Sequence, residues 1–104
     1  MTALAPKDGL SHVVGPKDAP LIDLTIPALL AQAVDRFPHS EAAIFSAQGI
    51  RKTYAAFAQD VDALATGMLS LDLPPGARVG IWSPNRYEWI LAQFATARIG
   101  LILV

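Results

Sequence analysis

Apolar residues recur at helical spacing in two well-separated stretches of the chain. The first stretch begins at Thr25, a suitable N-cap, carries Pro27 in its first turn and stops at Pro38. The second begins at Thr53, and we predict that it continues until Pro74-Pro75-Gly76. Its apolar positions, spaced alternately by four and three residues, are Phe57, Val61, Leu64, Met68 and Leu71.

A β-hairpin is predicted between these two helices. Residues 41–46 (EAAIFS) have the composition of a strand, and residues 50–53 provide a short return strand. The intervening Ala47-Gln48-Gly49 is suited to a tight turn.

The last third of the chain has the pattern of a β-α-β crossover unit. Residues 78–82 form a buried strand that includes Trp82, residues 86–99 a helix that is apolar nearly all round, and residues 101–104 a second strand. Connections this short predict a right-handed crossover with parallel strands. A helix apolar on all sides predicts a further covering layer of protein. We therefore expect an α/β fold with a mostly parallel sheet.

The chain divides into a leader, residues 1–22, and an incomplete domain, residues 23–104. The leader has no sustained period and is expected to be extended or partly disordered, with Val13-Val14 and Leu21-Ile22 as pairs that dock locally. The segment 101–104 is fully apolar, as in strands that lie inside a covered sheet, so a fragment of a longer chain is expected. A complete small protein is the alternative.

Composition excludes several classes of function. Eight Lys and Arg against nine Asp and Glu give a net charge of -1, which argues against a nucleic-acid or anionic-membrane surface. The absence of cysteine excludes disulfides, thiol nucleophiles and thiolate metal sites. No export signal opens the chain, and Gln93 and Arg98 interrupt its longest apolar segment, so a soluble cytoplasmic protein without a transmembrane segment is expected.

The corner Ser83-Pro84-Asn85 lies between a predicted strand and a predicted helix, where nucleotide-binding folds place their phosphate loop. It contains no glycine, so it lacks the close backbone approach that a phosphate requires. We predict instead that Asn85 caps the helix and that Glu88 reaches back as in a capping box. The helix N-terminus is then left as a weak anion site at most.

The remaining polar and aromatic candidates also favour structural roles. His12 and His39 have no neighbours at metal-ligand spacing, and Asp60 and Asp62 point in different directions on a solvated helix face. The aromatic group is predicted to pack in the core rather than to stack on a ligand. It consists of Trp82, Tyr87, Trp89 and Phe94. We therefore predict no catalytic and no metal-binding residue, and the cofactor-binding residues are unknown.

Five sequence blocks occur in an order that resembles the N-terminal region of the AMP-forming adenylate synthetases. They are TYAAF followed by VDALATGML, then LPPGARVGIWSPN, then EW, then ATARIGLILV. The resemblance runs from about residue 21 to residue 104 and is greatest to bacterial medium-chain fatty acyl-CoA ligases. The family often has Glu-Leu where Ala56-Phe57 stand here, so the second helix is expected to lack a capping box, at a cost of about 0.5–1 kcal/mol.

The resemblance implies an enzyme that joins a fatty acid to ATP, with Mg²⁺, and passes the acyl group to CoA. The family's phosphate loop, adenine contacts, magnesium-associated glutamate, ribose-binding aspartate and C-terminal lysine all lie beyond residue 104. The 104-residue chain is therefore expected to be inactive, to bind no cofactor strongly and to need the rest of its own chain as partner. Two alternatives are a fragment of an aryl- or amino-acid-adenylating enzyme and a short interaction module that pairs through its edge strand.

Overall fold

Three helices and two separate two-stranded sheets make up the fold in the computed structural model, which describes Pro6 and residues 8–104. In chain order they are α1 (Ile26–Arg36), β1 (Glu41–Phe45), β2 (Ile50–Thr53), α2 (Tyr54–Leu69), β3 (Arg78–Val79), α3 (Tyr87–Arg98) and β4 (Ile102–Leu103). The predicted α/β class is confirmed. Within the described part of the chain, no helix has the length and apolar character needed to cross a membrane.

Residues 8–24 run outside this body and contribute no helix to it. The prediction that their apolar pairs dock locally is wrong, since Leu21 is 97% and Ile22 71% exposed. Residues 1–5 and 7 of the predicted leader lie outside the described residues. Most of the segment that was predicted to carry no export signal falls on these residues.

Helix α1 begins as predicted. The Thr25 hydroxyl accepts a hydrogen bond from the Ala28 N–H at 3.2 Å, and Pro27 occupies the first turn, where its missing N–H costs nothing. The helix ends at Arg36, just before Phe37-Pro38. Local sequence signals therefore determine both ends of α1.

The hairpin is confirmed as an antiparallel pair in which Ala43 faces Lys52 and Phe45 faces Ile50. A one-turn 3-10 helix, Ser46–Gln48, joins the strands and is followed by Gly49 at φ 66°. This left-handed conformation is accessible to glycine at little cost, which explains its place in the turn.

Helix α2 is the centre of the fold, since it contacts α1, α3 and both strands of the hairpin. Its start at the N-cap Thr53 is confirmed, with the Thr53 hydroxyl accepting from the Ala56 N–H at 3.1 Å. Its predicted continuation to Pro74 is wrong. The helix ends at Leu69, where three successive N–H groups bond three residues back and Asp72 takes φ 54°, so the chain turns away and leaves Leu71 exposed.

The core lies where α2 meets the hairpin and α3. Phe57 contacts Tyr87 and Phe94 edge-to-face, with ring centroids 6.1 and 5.3 Å apart, so core packing is confirmed for Tyr87 and Phe94. The buried residues of this cluster are Ala43, Phe57, Val61, Ala65, Tyr87 and Ala95. The covering layer predicted on the outer side of α3 is absent from the described part of the chain, where Trp89 and Gln93 remain exposed, so the predicted core position of Trp89 is wrong.

The two strands of the crossover unit are parallel, as predicted, with Arg78 beside Ile102 and Val79 beside Leu103. Backbone hydrogen bonds extend this pairing in both directions, from Gly76 N–H to the Gly100 carbonyl at 2.7 Å and from Ile81 N–H to the Val104 carbonyl at 2.9 Å. The ladder therefore ends at Ile81, one residue short of the predicted strand.

Candidate functional site

The candidate functional site lies at the edge formed by the carboxyl ends of β3 and β4. In open α/β sheets, ligands bind in the crevice beyond the carboxyl ends of parallel strands. Here that edge consists of the loop from Gly80 to Arg86, which leads from β3 into α3, and of Val104, which follows β4 and is 69% exposed. We refer to residues 80–86 as the edge loop.

Trp82 in the edge loop is fully exposed, so its predicted burial in the strand is wrong. Side chains alternate between the two faces of an extended segment. Ile81 is half-buried, and Trp82 consequently points to the opposite side, where the described residues offer it no cover.

The corner within the edge loop does not cap α3 in the predicted way. The N-cap position is Arg86, which makes no side-chain capping bond, and Asn85 is exposed. The Ser83 hydroxyl donates to the adjacent Pro84 carbonyl at 2.9 Å. The predicted Asn85–Glu88 capping box is therefore wrong.

The cap comes instead from Gln48 at the tip of the hairpin. Its side-chain oxygen accepts from the Tyr87 N–H at 2.8 Å, and its amide nitrogen donates to the Glu88 carboxylate at 3.0 and 3.3 Å. Arg86 adds an ion pair to Glu88 at 3.3 Å. Since these groups already occupy the first turn of α3, the weak anion site predicted there is not open.

Tyr87 links the start of α3 to α2. Its ring is buried, and its hydroxyl donates to the Asp60 carboxylate at 2.7 Å, while Lys52 forms an ion pair with the same carboxylate at 3.1 Å. The Lys52 ammonium also lies 5.9 Å from the centroid of the Tyr87 ring, within reach of a cation–π interaction. Asp60 is thus part of a tertiary network, and its assignment to a solvated face is wrong.

Within this network, the pKa values of Asp60 and Tyr87 are both shifted. The Tyr87 hydroxyl first, and the Lys52 ammonium in addition, hold the pKa of Asp60 below its ordinary value against the opposing effect of partial burial. Burial, followed by the hydrogen bond to Asp60, raises the pKa of Tyr87 well above its ordinary value. Both groups are therefore held in the states that suit this hydrogen bond, an ionised carboxylate and a neutral phenol.

Asp62 points away from Asp60, as predicted, but it too has a partner. Its carboxylate forms an ion pair with Arg98, in the last turn of α3, at 2.7 Å. Both side chains are about half exposed, so the pair contributes little stability in water. It does tie α2 to the far end of α3.

A shallow cleft of about 210 Å³ lies beside this ion pair, between the three helices. Its lining residues are Pro27, Leu30, Ala31, Val34, Asp35, Ala58, Asp62 and Arg98. Pockets for small molecules usually measure about 300–1,000 Å³, so the cleft is too small for a nucleotide or for CoA.

No arrangement suited to metal binding occurs within Pro6 and residues 8–104, since no three His, Asp or Glu side chains come together there. His12 and His39 are both exposed. The absence of catalytic and metal-binding residues stays a prediction for this chain.

Sequence reasoning missed Gln48 and Lys52. Gln48 bonds to the first turn of α3, and Lys52 forms an ion pair with Asp60, the partner of the Tyr87 hydroxyl. Gln48 stands directly before the turn glycine Gly49, a position that indicated only a turn. Its bonding partners are 39 and 40 residues away along the chain. No local pattern carries a signal for a contact of that range.

The chain matches the family model described as "AMP-binding enzyme" over residues 30–104. It is 49% identical over 94 residues to the mitochondrial medium-chain acyl-CoA ligase ACSF2 of Danio rerio, covering 90% of this chain and 16% of that protein. The chain therefore spans about 16% of the length of that relative.

Solved structures show the same fold. The apo structure of MbtA from Mycobacterium smegmatis matches with a TM-score of 0.72 and 30% identity, over 79% of this chain and 15% of that one. The fatty acyl CoA synthetase of Mycobacterium tuberculosis gives a TM-score of 0.72 at 24% identity, over 76% of this chain and 16% of that one, which supports the fold alone.

Proposed function

The chain belongs to the AMP-binding enzyme family, and we propose that it forms the N-terminal part of the large domain of an ATP-dependent acyl-CoA ligase for medium-chain fatty acids. The observation that carries this proposal is the 49% identity, over 90% of the chain, with the Danio rerio ligase. Residues 23–104 would contribute to the adenylation domain, and residues 1–22 would form a leader to it.

The proposed reaction has two steps. The fatty acid carboxylate attacks the α-phosphate of ATP and releases pyrophosphate, and the CoA thiol then attacks the acyl-adenylate carbonyl, loses its proton to solvent and releases AMP. Mg²⁺ would offset the charge of the phosphates. The described residues do not fit ATP or Mg²⁺, because the edge loop lacks a glycine-rich phosphate cradle, Gln48 takes the Tyr87 N–H, and no group of metal ligands assembles.

This segment would therefore act as scaffold. Its parallel strands and α3 would present the edge loop toward the ligand side of a larger sheet, and Trp82 and Val104 would be covered by the rest of the enzyme or by its substrate. The nucleotide and CoA contacts would come from other parts of the protein.

An aryl- or amino-acid-adenylating enzyme is the second candidate from the same superfamily. It is less well supported, since the relative that is 49% identical to the chain is named as an acyl-CoA ligase. The cytoplasmic location stays a prediction, and the Danio rerio relative is itself a mitochondrial ligase.

A chimera tests the proposal. The chain replaces the 94-residue segment that it matches in the Danio rerio ligase, and acyl-CoA formation is followed with a medium-chain fatty acid, ATP, Mg²⁺ and CoA. We expect thioester formation that depends on ATP and is accompanied by AMP and pyrophosphate. A chimera that is folded by circular dichroism yet forms no acyl-CoA would contradict the proposal.

The matched control is the same chimera with Val61→Asp. Val61 is 1% exposed at the centre of the core, so an aspartate there buries an unpaired charge and should unfold this segment. Loss of acyl-CoA formation in this control shows that the activity of the chimera depends on the fold of the inserted chain.

A further inference from the structure

Gln48 is the one side chain of the hairpin tip, Ser46–Gln48, that hydrogen-bonds to the first turn of α3 in the described part of the chain. Its amide is half-buried and uses both ends in this contact: the oxygen accepts from the Tyr87 N–H, and the nitrogen donates to Glu88. Gln48 thus caps α3 from a distant part of the sequence, whereas most helices are capped by the residue directly before their first turn.

The chemistry of the contact fixes the orientation of the Gln48 amide. The Tyr87 N–H can only donate and the Glu88 carboxylate can only accept. Rotating the amide by half a turn would set its NH₂ group against the N–H and its oxygen against the carboxylate, so both bonds would be lost. The side chain is therefore specific for this pair of neighbours.

The edge loop has few other restraints. At its start, the Ile81 N–H is bonded to the Val104 carbonyl, and within it the Ser83 hydroxyl bonds only to the adjacent Pro84 carbonyl. At its end, Arg86 forms an exposed ion pair with Glu88 at 3.3 Å and accepts a hydrogen bond from the Trp89 N–H, but it makes no side-chain capping bond. The loop is thus held at one end by the strand ladder and at the other by the first turn of α3, to which Gln48 bonds.

We propose that Gln48 is a positioning residue, which fixes the first turn of α3 and thereby sets the course of the edge loop at the carboxyl end of β3. The hairpin would then hold the edge loop in position as well as cover the core. A role of the edge loop in ligand binding rests on the proposed function, whereas the effect of Gln48 on α3 and on the edge loop can be measured without any ligand.

Native-state amide exchange followed by NMR on the 104-residue chain tests the proposal. Gln48→Met keeps the length of the side chain and removes its hydrogen bonds to Tyr87 and to Glu88. We expect exchange at residues 87–90 to become roughly five- to tenfold faster, the effect of losing a helix cap. Exchange at Val61 and Ala65 in the α2 core should be unchanged, and the amide shifts of Trp82 and Ser83 should move.

Two further variants make the test specific. Gln93→Met removes an exposed glutamine from α3, one whose side chain makes no hydrogen bond among the described residues. This variant should leave amide exchange at residues 87–90 unchanged. Gln48→Glu sets a carboxylate against Glu88 and should speed exchange at residues 87–90. Adding Glu88→Gln to it recreates the donor–acceptor pair in reverse and should restore slow exchange.

Two outcomes would overturn the proposal. One is unchanged exchange at residues 87–90 in Gln48→Met. The other is acceleration of the same size at Val61 and Ala65, together with no rescue by the Gln48→Glu, Glu88→Gln pair, which would mean that Gln48 contributes only to overall stability. An inactive chimera would count against the proposed function and leave the exchange result intact, so the two failures are distinguishable.

Discussion

At the scale of single residues, Tyr87 connects the hairpin, α2 and α3. Its ring packs edge-to-face on Phe45 and Phe57, its hydroxyl reaches Asp60, and its N–H is bonded to Gln48. A buried tyrosine needs a partner for its hydroxyl, and an ionised carboxylate is a strong one. The hairpin, α2 and α3 therefore meet at one residue.

The pH dependence of stability should report on this residue. Asp60 has a lowered pKa in the folded state, so its contribution to stability is present above the unfolded pKa, about 3.9, and is lost as the pH falls through the folded pKa. Urea unfolding from pH 7 to pH 2 should therefore show a smaller acid-induced loss of stability in Asp60→Asn than in the wild type.

The control for this comparison is Asp18→Asn, which removes an exposed carboxylate from the segment that precedes the folded body. Its acid-induced loss should equal that of the wild type. An equal loss in Asp60→Asn and the wild type would mean that the Tyr87–Asp60 bond does not couple ionisation to folding.

At the scale of elements, two of the three helices in the described residues begin with a threonine cap, and a helix that begins this way depends on one hydroxyl. Thr53 is also the last residue of β2, so its cap fixes the point at which the strand turns into α2. The Ala56 N–H would otherwise lack a protein partner in a half-buried position.

Thr53→Ala should consequently lower the free energy of unfolding by about 1 kcal/mol, within the range of 0.5–2 kcal/mol measured for such caps. Thr53→Ser keeps the hydroxyl and should lose much less. Both values come from urea denaturation monitored by circular dichroism at 222 nm. Equal losses in the two variants would show that the methyl group, rather than the hydrogen bond, is what matters at this position.

Elements bounded by local signals were the ones that the sequence could predict. Thr25 and Pro27 begin α1, and Gly49 closes the hairpin turn, because caps and turns depend on residues within a few positions of each other. The end of α2 was placed too late, since the apolar spacing runs on to Leu71 although the chain reverses before it. The cap of α3 was assigned to Asn85 because its real source, Gln48, is distant in sequence.

At the scale of the whole molecule, many large apolar side chains of the described residues are exposed to water. The radius of gyration is 18.6 Å, against about 13 Å for a compact chain of 100 residues, and residues 8–24 lie exposed along their length. Trp82 and Val104 are exposed at the carboxyl edge of a sheet with only two strands. Under the proposed function, the remainder of a much longer enzyme covers these side chains.

The candidate site could be predicted from the sequence only in part. The absence of a phosphate loop between β3 and α3 followed from the lack of glycine in Ser83-Pro84-Asn85. The exposure of Trp82 did not follow, because Trp82 was predicted to be the last residue of a buried strand, and a large apolar residue there is normally assigned to the core. Its true position depends on how far the ladder with β4 extends, which is a property of the whole fold.

One measurement tests most directly whether this chain is scaffold rather than nucleotide site: isothermal titration of ATP with Mg²⁺ into the folded 104-residue chain and, in parallel, into the chimera with the Danio rerio ligase. We predict binding to the chimera and none to the chain alone. Micromolar binding by the folded chain alone would contradict the account, since it would require the Ser83-Pro84-Asn85 corner or another described surface to hold the nucleotide. A folded chimera that fails to bind ATP would contradict it as well.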